Sequence, residues 1–327
     1  MQPVKVVLAG GAYDRVVPLE YGRVSPKGVD LLYLAMPIEE VFWRALRNNE
    51  FDAAELSLGY YWWMRDHGDD RYLAIPVFPS RFFRHGCVFV NSESPLQSLG
   101  ELRGRTVGIP EYAMTACVWL RGLLREEFGI EPTQIPWRVG GIESPGRRDR
   151  IDMELPANLD IALIPPDISL NEMLVRGDLD AVICPRIPSG YWKGQIRRLL
   201  PDYESAERVY YKRSGIFPIM HVVALRRDLY ERHPWIAKSL FDAYQDAKML
   251  TYGWMEDINA LPVSLPWYVP AWEETRRVFG GDPWIDGLDA NRQVLATFGR
   301  YMEEQQLSGP MALEDLFVPN TLNRYVI

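Results

Sequence analysis

Leu46-Arg47-Asn48-Asn49-Glu50-Phe51-Asp52-Ala53 has a counterpart far along the chain, Leu174-Val175-Arg176-Gly177-Asp178-Leu179-Asp180-Ala181. At matching offsets both carry Leu, an acid, an apolar residue, Asp and Ala. Each closes a helix and feeds a strand. Before the first, Pro37-Ile-Glu-Glu40 opens a helix with proline early and acids in its first turn, striped by Val41, Phe42, Ala45 and Leu46. Before the second, residues 169–176 read as a helix. A helix running into a strand is the repeating half of a βαβ unit, and its recurrence predicts two α/β lobes of similar build.

Outward from these segments, 5–9, 29–34 and 51–57 read as strands in the first part of the chain. Residues 106–110, 135–139, 159–164 and 179–184 read as strands in the middle, and 215–225 as a later one. Ala116, Trp119, Leu120, Leu123, Leu124 and Phe128 stripe a helix that Thr115 could cap. Three more helices are expected at 235–250, 266–279 and 290–306.

The 327 residues suffice for two lobes with real cores, and 47% hydrophobic with 24% charged residues is the balance of a globular protein. A net charge of −8 argues against nucleic acid as a partner. No apolar run is long enough to span a membrane, and the apolar start of the chain is too short for a signal peptide and reads as a strand. Cys87, Cys117 and Cys184 are odd in number and far apart, which predicts reduced thiols and a cytoplasmic address.

Chemistry concentrates in Pro76-Val-Phe-Pro-Ser-Arg-Phe-Phe-Arg-His-Gly-Cys87, which leads into the apolar run Cys87-Val-Phe-Val90. Arg81 and Arg84 could each grip a carboxylate through a bidentate fork, and His85 could move a proton near neutral pH. The competing reading pairs both arginines with acids of the same chain. Asp14 and Arg15 follow the first strand, where α/β sheets bind ligands; they either face a site or pair with each other. Glu55, a carboxyl among apolar neighbours, is either an acid or base tuned by burial or a partner for Arg81 or Arg84. His221 sits inside a strand, where a hydrogen-bonded core histidine is the alternative to a catalytic one. The aromatic stretch 60–64 is expected to line or lid something. Glu55, His85, Glu111 and His221 are metal-ligand types, but no ligand spacing joins them, so cofactor-free chemistry is expected ahead of a divalent ion.

With these segments read, the sequence resembles the 4,5-dihydroxyphthalate decarboxylase family along nearly its whole length. The resemblance is carried by Tyr13-Asp-Arg15, Glu39-Glu40, Phe51-Asp-Ala-Ala-Glu55, Ile75-Pro-Val-Phe-Pro-Ser-Arg-Phe-Phe-Arg-His85, Val107-Gly-Ile-Pro-Glu-Tyr112, Ile216-Phe-Pro-Ile-Met-His221 and Tyr230-Glu-Arg-His-Pro-Trp235. It implies an α/β, two-lobed fold like that of type 2 periplasmic binding proteins, with a central cleft and two chain crossovers. The crossovers are expected near 108–110 and 215–218, giving one lobe from 1–108 and 219–327 and another from 109–218. The implied reaction is loss of one carboxylate from an aromatic dicarboxylate, giving a dihydroxybenzoate and CO2. His85 or Glu55 would act as acid, with His221 or Glu111 near the phenol. The expected substrate contacts are Arg81, Arg84, Asp14, Arg15, Tyr112, Thr115, Gly141 and Arg186. The implied partner is a small aromatic carboxylate, and a homo-oligomer is compatible with the family. Two departures flank the expected cleft: Cys184-Pro185 stands before Arg186, and Gly10-Gly11-Ala12 stands before Tyr13. The rival reading is a non-catalytic solute-binding or sensor protein for a small carboxylate.

Overall fold

The computed structural model describes residues 2–146 and 153–322. The chain divides into two compact units. One takes the chain through Arg81, then His221–Leu295 and the segment from Met311 on; the other takes Phe82–Met220 and Ala296–Pro310.

In chain order the strands are β1 (Val4–Gly10), β2 (Val29–Ala35), β3 (Ala53–Ser57), β4 (Tyr72–Ile75), β5 (Val88–Asn91), β6 (Val107–Ile109), β7 (Trp137–Val139), β8 (Ile161–Leu163), β9 (Ala181–Ile183), β10 (Ile196–Arg198) and β11 (His221–Arg226). The first unit has a five-stranded sheet of order β2-β1-β3-β11-β4. Within it β1 runs parallel to β2 and β3, while β11 runs antiparallel to β3 and β4. The second unit has a six-stranded sheet of order β10-β5-β9-β6-β7-β8. There β6 is parallel to β7 and β9, and β5 is antiparallel to its neighbours β9 and β10. Strands covered on both faces are mostly apolar; all five residues of β3 are buried, and Glu55 and Ser57 are its polar exceptions. The Trp235–Glu256 helix sets Ile236, Ala237, Leu240, Ala243 and Ala247 into the core with Leu8, Ala53, Val223 and Leu225.

The repeated octapeptide has a local physical cause. The Ile38–Asn48 helix ends on Asn49 at φ 52°, and the Leu170–Arg176 helix ends on Gly177 at φ 82°. Both are left-handed stops, cheapest for glycine and tolerated by asparagine. The shared Asp then does the same work in each unit. The Val7 amide donates to Asp52 Oδ2 at 3.0 Å, and the Thr106 amide donates to Asp180 Oδ2 at 2.8 Å. An arginine faces each carboxylate, Arg226 at 3.1 Å from Asp52 and Arg105 at 3.6 Å from Asp180. The motif is a helix stop followed by a carboxylate that satisfies the amide where parallel pairing begins.

The unit boundaries differ from those expected. The first crossing lies at Arg81–Phe82, not near 108, because β5 is hydrogen-bonded to β9 and β10 and carries 82–108 into the second sheet. An apolar run reports burial but not which sheet buries it. The second crossing falls at Met220–His221, just past the expected place. The Leu288–Glu304 helix begins in the first unit and ends in the second, where the Phe298 and Tyr301 rings pack on Trp119. The 60–64 stretch lies in the Leu58–Asp66 helix with Tyr60, Tyr61, Trp62 and Met64 buried, so it is core and not a lid. Residues 203–214, whose apolar pattern is broken by charge, form a helix that periodicity did not reveal.

Candidate active site

In the first unit, β3 and β11 bring a carboxylate and an imidazole together. The antiparallel register sets His221 opposite Ser57 and Val223 opposite Glu55. Residues opposite each other, and residues two apart on one strand, share a face of the sheet, so Glu55 and His221 are diagonal neighbours on one face. The Nδ1 of His221 lies 2.6 Å from Glu55 Oε1. The same oxygen accepts from the Tyr13 hydroxyl at 2.7 Å, and Oε2 accepts from the Gly11 amide at 2.8 Å. Three donors converge on one carboxyl that is 1% exposed.

The Gly10-Gly11 turn after β1 makes this convergence possible. A Cβ on Gly10 would collide with the Tyr33 hydroxyl and lie 3.2 Å from Glu55 Oε2. Tyr33 in turn donates to the Gly11 carbonyl at 2.9 Å, fixing the turn. Burial and the neighbouring Glu55 charge push the Tyr13 pKa far above the usual phenol range, so it stays a donor. Phe42 meets the imidazole edge-on at 4.9 Å. A carboxylate on Nδ1 places the ring proton there and leaves Nε2 for chemistry. The His221 side chain is 15% exposed, open enough to reach a ligand.

Asp14 and Arg15 pair with each other at 2.7 Å. Arg15 also donates to the Pro79 carbonyl at 3.0 Å and lies flat over Trp284 at 3.5 Å. Burial lowers its pKa. Its guanidinium is thus committed to holding the loop after β1 in place.

The two arginines of the cationic motif have different fates. Arg81 is buried and donates to the Ile285 carbonyl at 2.6 Å and to the Asn291 side chain. The expectation that it grips a substrate carboxylate is corrected: these bonds tie down the segment that leads into the Leu288–Glu304 helix. Arg84 is half-buried in the second unit. Its guanidinium meets Met220 Sδ at 3.1 Å, Cys87 Sγ at 3.6 Å and the Phe82 ring at 4.9 Å, and no carboxylate among the described residues pairs with it. Sulfur and ring neighbours leave most of its hydrogen-bonding capacity for an anion.

His85 does not fit the role of proton donor. Burial and the Arg213 charge lower its pKa to about 4, so it is neutral at pH 7. Glu55 is also corrected as the acid, since its oxygens are occupied as acceptors by three donors.

The remaining expected residues all fall in the second unit. Glu111 is buried just after β6. Tyr112 is buried beneath Arg121, whose guanidinium stacks on its ring at 3.7 Å. Tyr112 is therefore placed as core, not as a ligand contact. Thr115 begins the Thr115–Phe128 helix but does not cap it; Met114 stands at that position without a side-chain bond. The Gly141 carbonyl accepts from the Leu170 amide at 2.8 Å, at the start of the Leu170–Arg176 helix. Arg186 is exposed, and its carbonyl accepts from Cys184 Sγ at 2.8 Å.

Sequence reasoning passed over two groups. Tyr13 stood in a quoted motif, but its role depends on a carboxylate 42 positions away. Glu207 accepts from the Gly86 amide at 3.3 Å, and burial raises its pKa to about 7 despite the pull of Arg198 and Arg84; no local signal marks it. Among the described residues no three His, Cys, Asp or Glu side chains gather so as to hold a metal ion, and no helix is long and apolar enough to cross a membrane.

Comparison with known proteins follows the same lines. The chain is 36% identical over 330 residues to a 4,5-dihydroxyphthalate decarboxylase of Comamonas testosteroni, covering all of both chains. The chain belongs to the 4,5-dihydroxyphthalate decarboxylase family. A second family member, from Pseudomonas putida, is 37% identical over 214 residues, which is 65% of this chain and 83% of that one. Residues 33–144 also match the family described as ABC transporter, phosphonate, periplasmic substrate-binding protein.

Among solved structures, this decarboxylase homologue is similar to a conserved Candida albicans gene product with the generic periplasmic binding protein fold, at 12% identity, TM-score 0.58 and 97% and 95% coverage of the two chains. It is also similar to the desulfurization enzyme DSZB, at 12% identity, TM-score 0.54 and 97% coverage of each chain. A third likeness is to the alkanesulfonate-binding protein SsuA of Xanthomonas axonopodis pv. citri, at 13% identity, TM-score 0.52 and 95% and 96% coverage. These likenesses establish the fold: two mixed α/β units of the type 2 periplasmic-binding-protein kind.

Proposed function

We propose that the protein decarboxylates 4,5-dihydroxyphthalate to 3,4-dihydroxybenzoate and CO2, with the Glu55–His221 pair as its acid–base device. The observation that carries this reading is the 2.6 Å bond from His221 Nδ1 to Glu55, which orients the ring and leaves Nε2 for substrate, in a chain that belongs to the family along its full length.

The chemistry asks for a proton on the ring carbon that carries the departing carboxylate. That carbon is para to one hydroxyl. His221 Nε2 takes the proton from this hydroxyl while the carbon accepts one from a solvent-exchangeable source, so the ring passes through a neutral keto form instead of a cation. The C–CO2 bond then breaks, its electron pair restores the aromatic ring, and His221 returns the proton to the oxygen. Glu55 stabilises the imidazolium in between, and Tyr13 and the Gly11 amide keep that carboxylate in place. General acid–base help of this type is worth about 10²–10⁴ in rate.

Steady-state assays of CO2 and 3,4-dihydroxybenzoate test the function: product from the wild-type protein supports it, and tight binding of 4,5-dihydroxyphthalate without product would favour a solute-binding or sensor role.

A further inference from the structure

Two thiols far apart in sequence face each other in the second unit. β5 and β9 run antiparallel, with Val88 opposite Ile183 and Phe89 opposite Val182. One step further in the same register brings Cys87 opposite Cys184, and the Cys184 amide donates to the Cys87 carbonyl at 3.1 Å. Opposite residues of an antiparallel pair present their side chains on one face. At such a hydrogen-bonded position the Cα atoms stand about 5.5 Å apart, inside the roughly 4.4–6.8 Å that a disulfide spans. All three cysteines are free thiols.

The two thiols differ in their surroundings. Cys87 is the less buried, at 5% exposed, and its Sγ lies 3.6 Å from Arg84 Nη1. A neighbouring cation and some access to solvent mark a cysteine that reacts. Cys184 is fully buried and its Sγ donates to the Arg186 carbonyl at 2.8 Å. Burial, with Cys87 beside it, raises its pKa and keeps it a thiol. Cys117 lies in the Thr115–Phe128 helix, off the β5–β9 register, and burial pushes its thiol up to about 12. The facing pair stands just beyond the strand ends, since β5 begins at Val88 and β9 ends at Ile183. Opposite Cβ atoms are about 4.5–5.5 Å apart, and a disulfide holds them about 3.5–4.5 Å apart. Closing the bond therefore draws the two ends together, and a bond closed under strain is the more easily reduced kind.

We propose that Cys87 and Cys184 form a reversible disulfide when the protein meets a peroxide. The Cys87 sulfur attacks one peroxide oxygen, the O–O bond breaks, and Cys87 becomes a sulfenic acid as water leaves. The Cys184 sulfur then attacks the Cys87 sulfur. The S–O bond breaks, and the hydroxyl departs with the Cys184 proton as a second water. Two thiols are oxidised to one disulfide, and one hydrogen peroxide is reduced to two waters. The bond fastens the Cys184-Pro185-Arg186 turn to the segment that carries Arg84. The proposal does not rest on the decarboxylase reading.

The probe is hydrogen peroxide, added in small excess to the reduced, native, full-length protein. The protein is then unfolded, alkylated with a maleimide and mapped by mass spectrometry without reductant. The expected result is loss of two of the three alkylatable thiols, with a cross-linked peptide joining Cys87 to Cys184 and a mass lower by two hydrogens. Dithiothreitol should return both thiols. Cys117→Ser should give the same cross-link. Cys184→Ala should stop at the Cys87 sulfenic acid, which dimedone traps; the wild-type map decides the matter even if this variant fails to fold. The proposal is overturned if all three thiols are still alkylated after peroxide, or if single cysteines gain oxygen with no cross-link. A cross-link that involves Cys117, or one formed only between chains, would overturn it equally.

Discussion

His221→Ala is expected to lower kcat for CO2 release by about 10²–10⁴-fold and to leave KM little changed. The imidazole is assigned to moving a proton, not to holding the substrate, so its removal should act on the step and not on affinity. The fold should survive. His221 stands at the start of β11 with a side chain that is not fully buried, and Glu55 would still accept from Tyr13 and the Gly11 amide. Added imidazole should restore part of the lost rate by entering the space left beside Glu55. Glu55→Gln should reduce the same parameter by a smaller factor, because it removes the charge that stabilises the imidazolium while keeping the shape. Unchanged turnover in His221→Ala would remove the pair from the chemistry.

Arg81→Met is expected to destabilise the first unit by about 3 kcal/mol, read as a lower denaturant midpoint, and to unfold well before Arg84→Met does. The two arginines are three residues apart and look alike in sequence, so the contrast between them is the informative quantity. Arg81 is 4% exposed and bonded to the Ile285 carbonyl and to Asn291. Methionine would fill the space but leave Asn291 Oδ1 buried without its donor and take one of two donors from the Ile285 carbonyl, which keeps that of Asn291 Nδ2 at 2.9 Å. The segment at stake is held by other ties as well: Asp286 accepts from the Phe78 amide at 2.7 Å, and Lys248 bonds the Trp284 carbonyl at 2.8 Å and Asp286 at 3.3 Å. That segment also carries Trp284, the surface on which Arg15 lies. A stable Arg81→Met protein with a raised KM would reverse the assignment and make Arg81 the substrate grip.

The contrast shows where sequence reasoning reaches and where it stops. The octapeptide repeat was legible because its causes are local: a left-handed helix stop, then a carboxylate that satisfies the next strand's amide. The stripe of the Ile38–Asn48 helix was legible for the same reason, and Val41, Phe42, Ala45 and Leu46 are all buried. Glu55 stood out as a carboxyl in an apolar strand, and both His221 and Glu55 were named. Their pairing was not, because it is set by an antiparallel register joining residues 166 positions apart. Arg81 was misread because its partner Asn291 lies 210 positions downstream and is not an acid. The first crossing was misplaced because the partners of β5 are later strands, β9 and β10. The Tyr203–Ser214 helix was missed because only Tyr210 of its residues is buried, too few for a stripe.

The most direct test of the account is decarboxylation of 4,5-dihydroxyphthalate in D2O, with CO2 and the ring protons followed together. The account predicts 3,4-dihydroxybenzoate carrying one deuterium, at the carbon that lost its carboxyl group, formed mole for mole with CO2 by the wild-type protein and far more slowly by His221→Ala. Substrate that binds and is recovered unchanged, or product formed equally fast by both proteins, would contradict it.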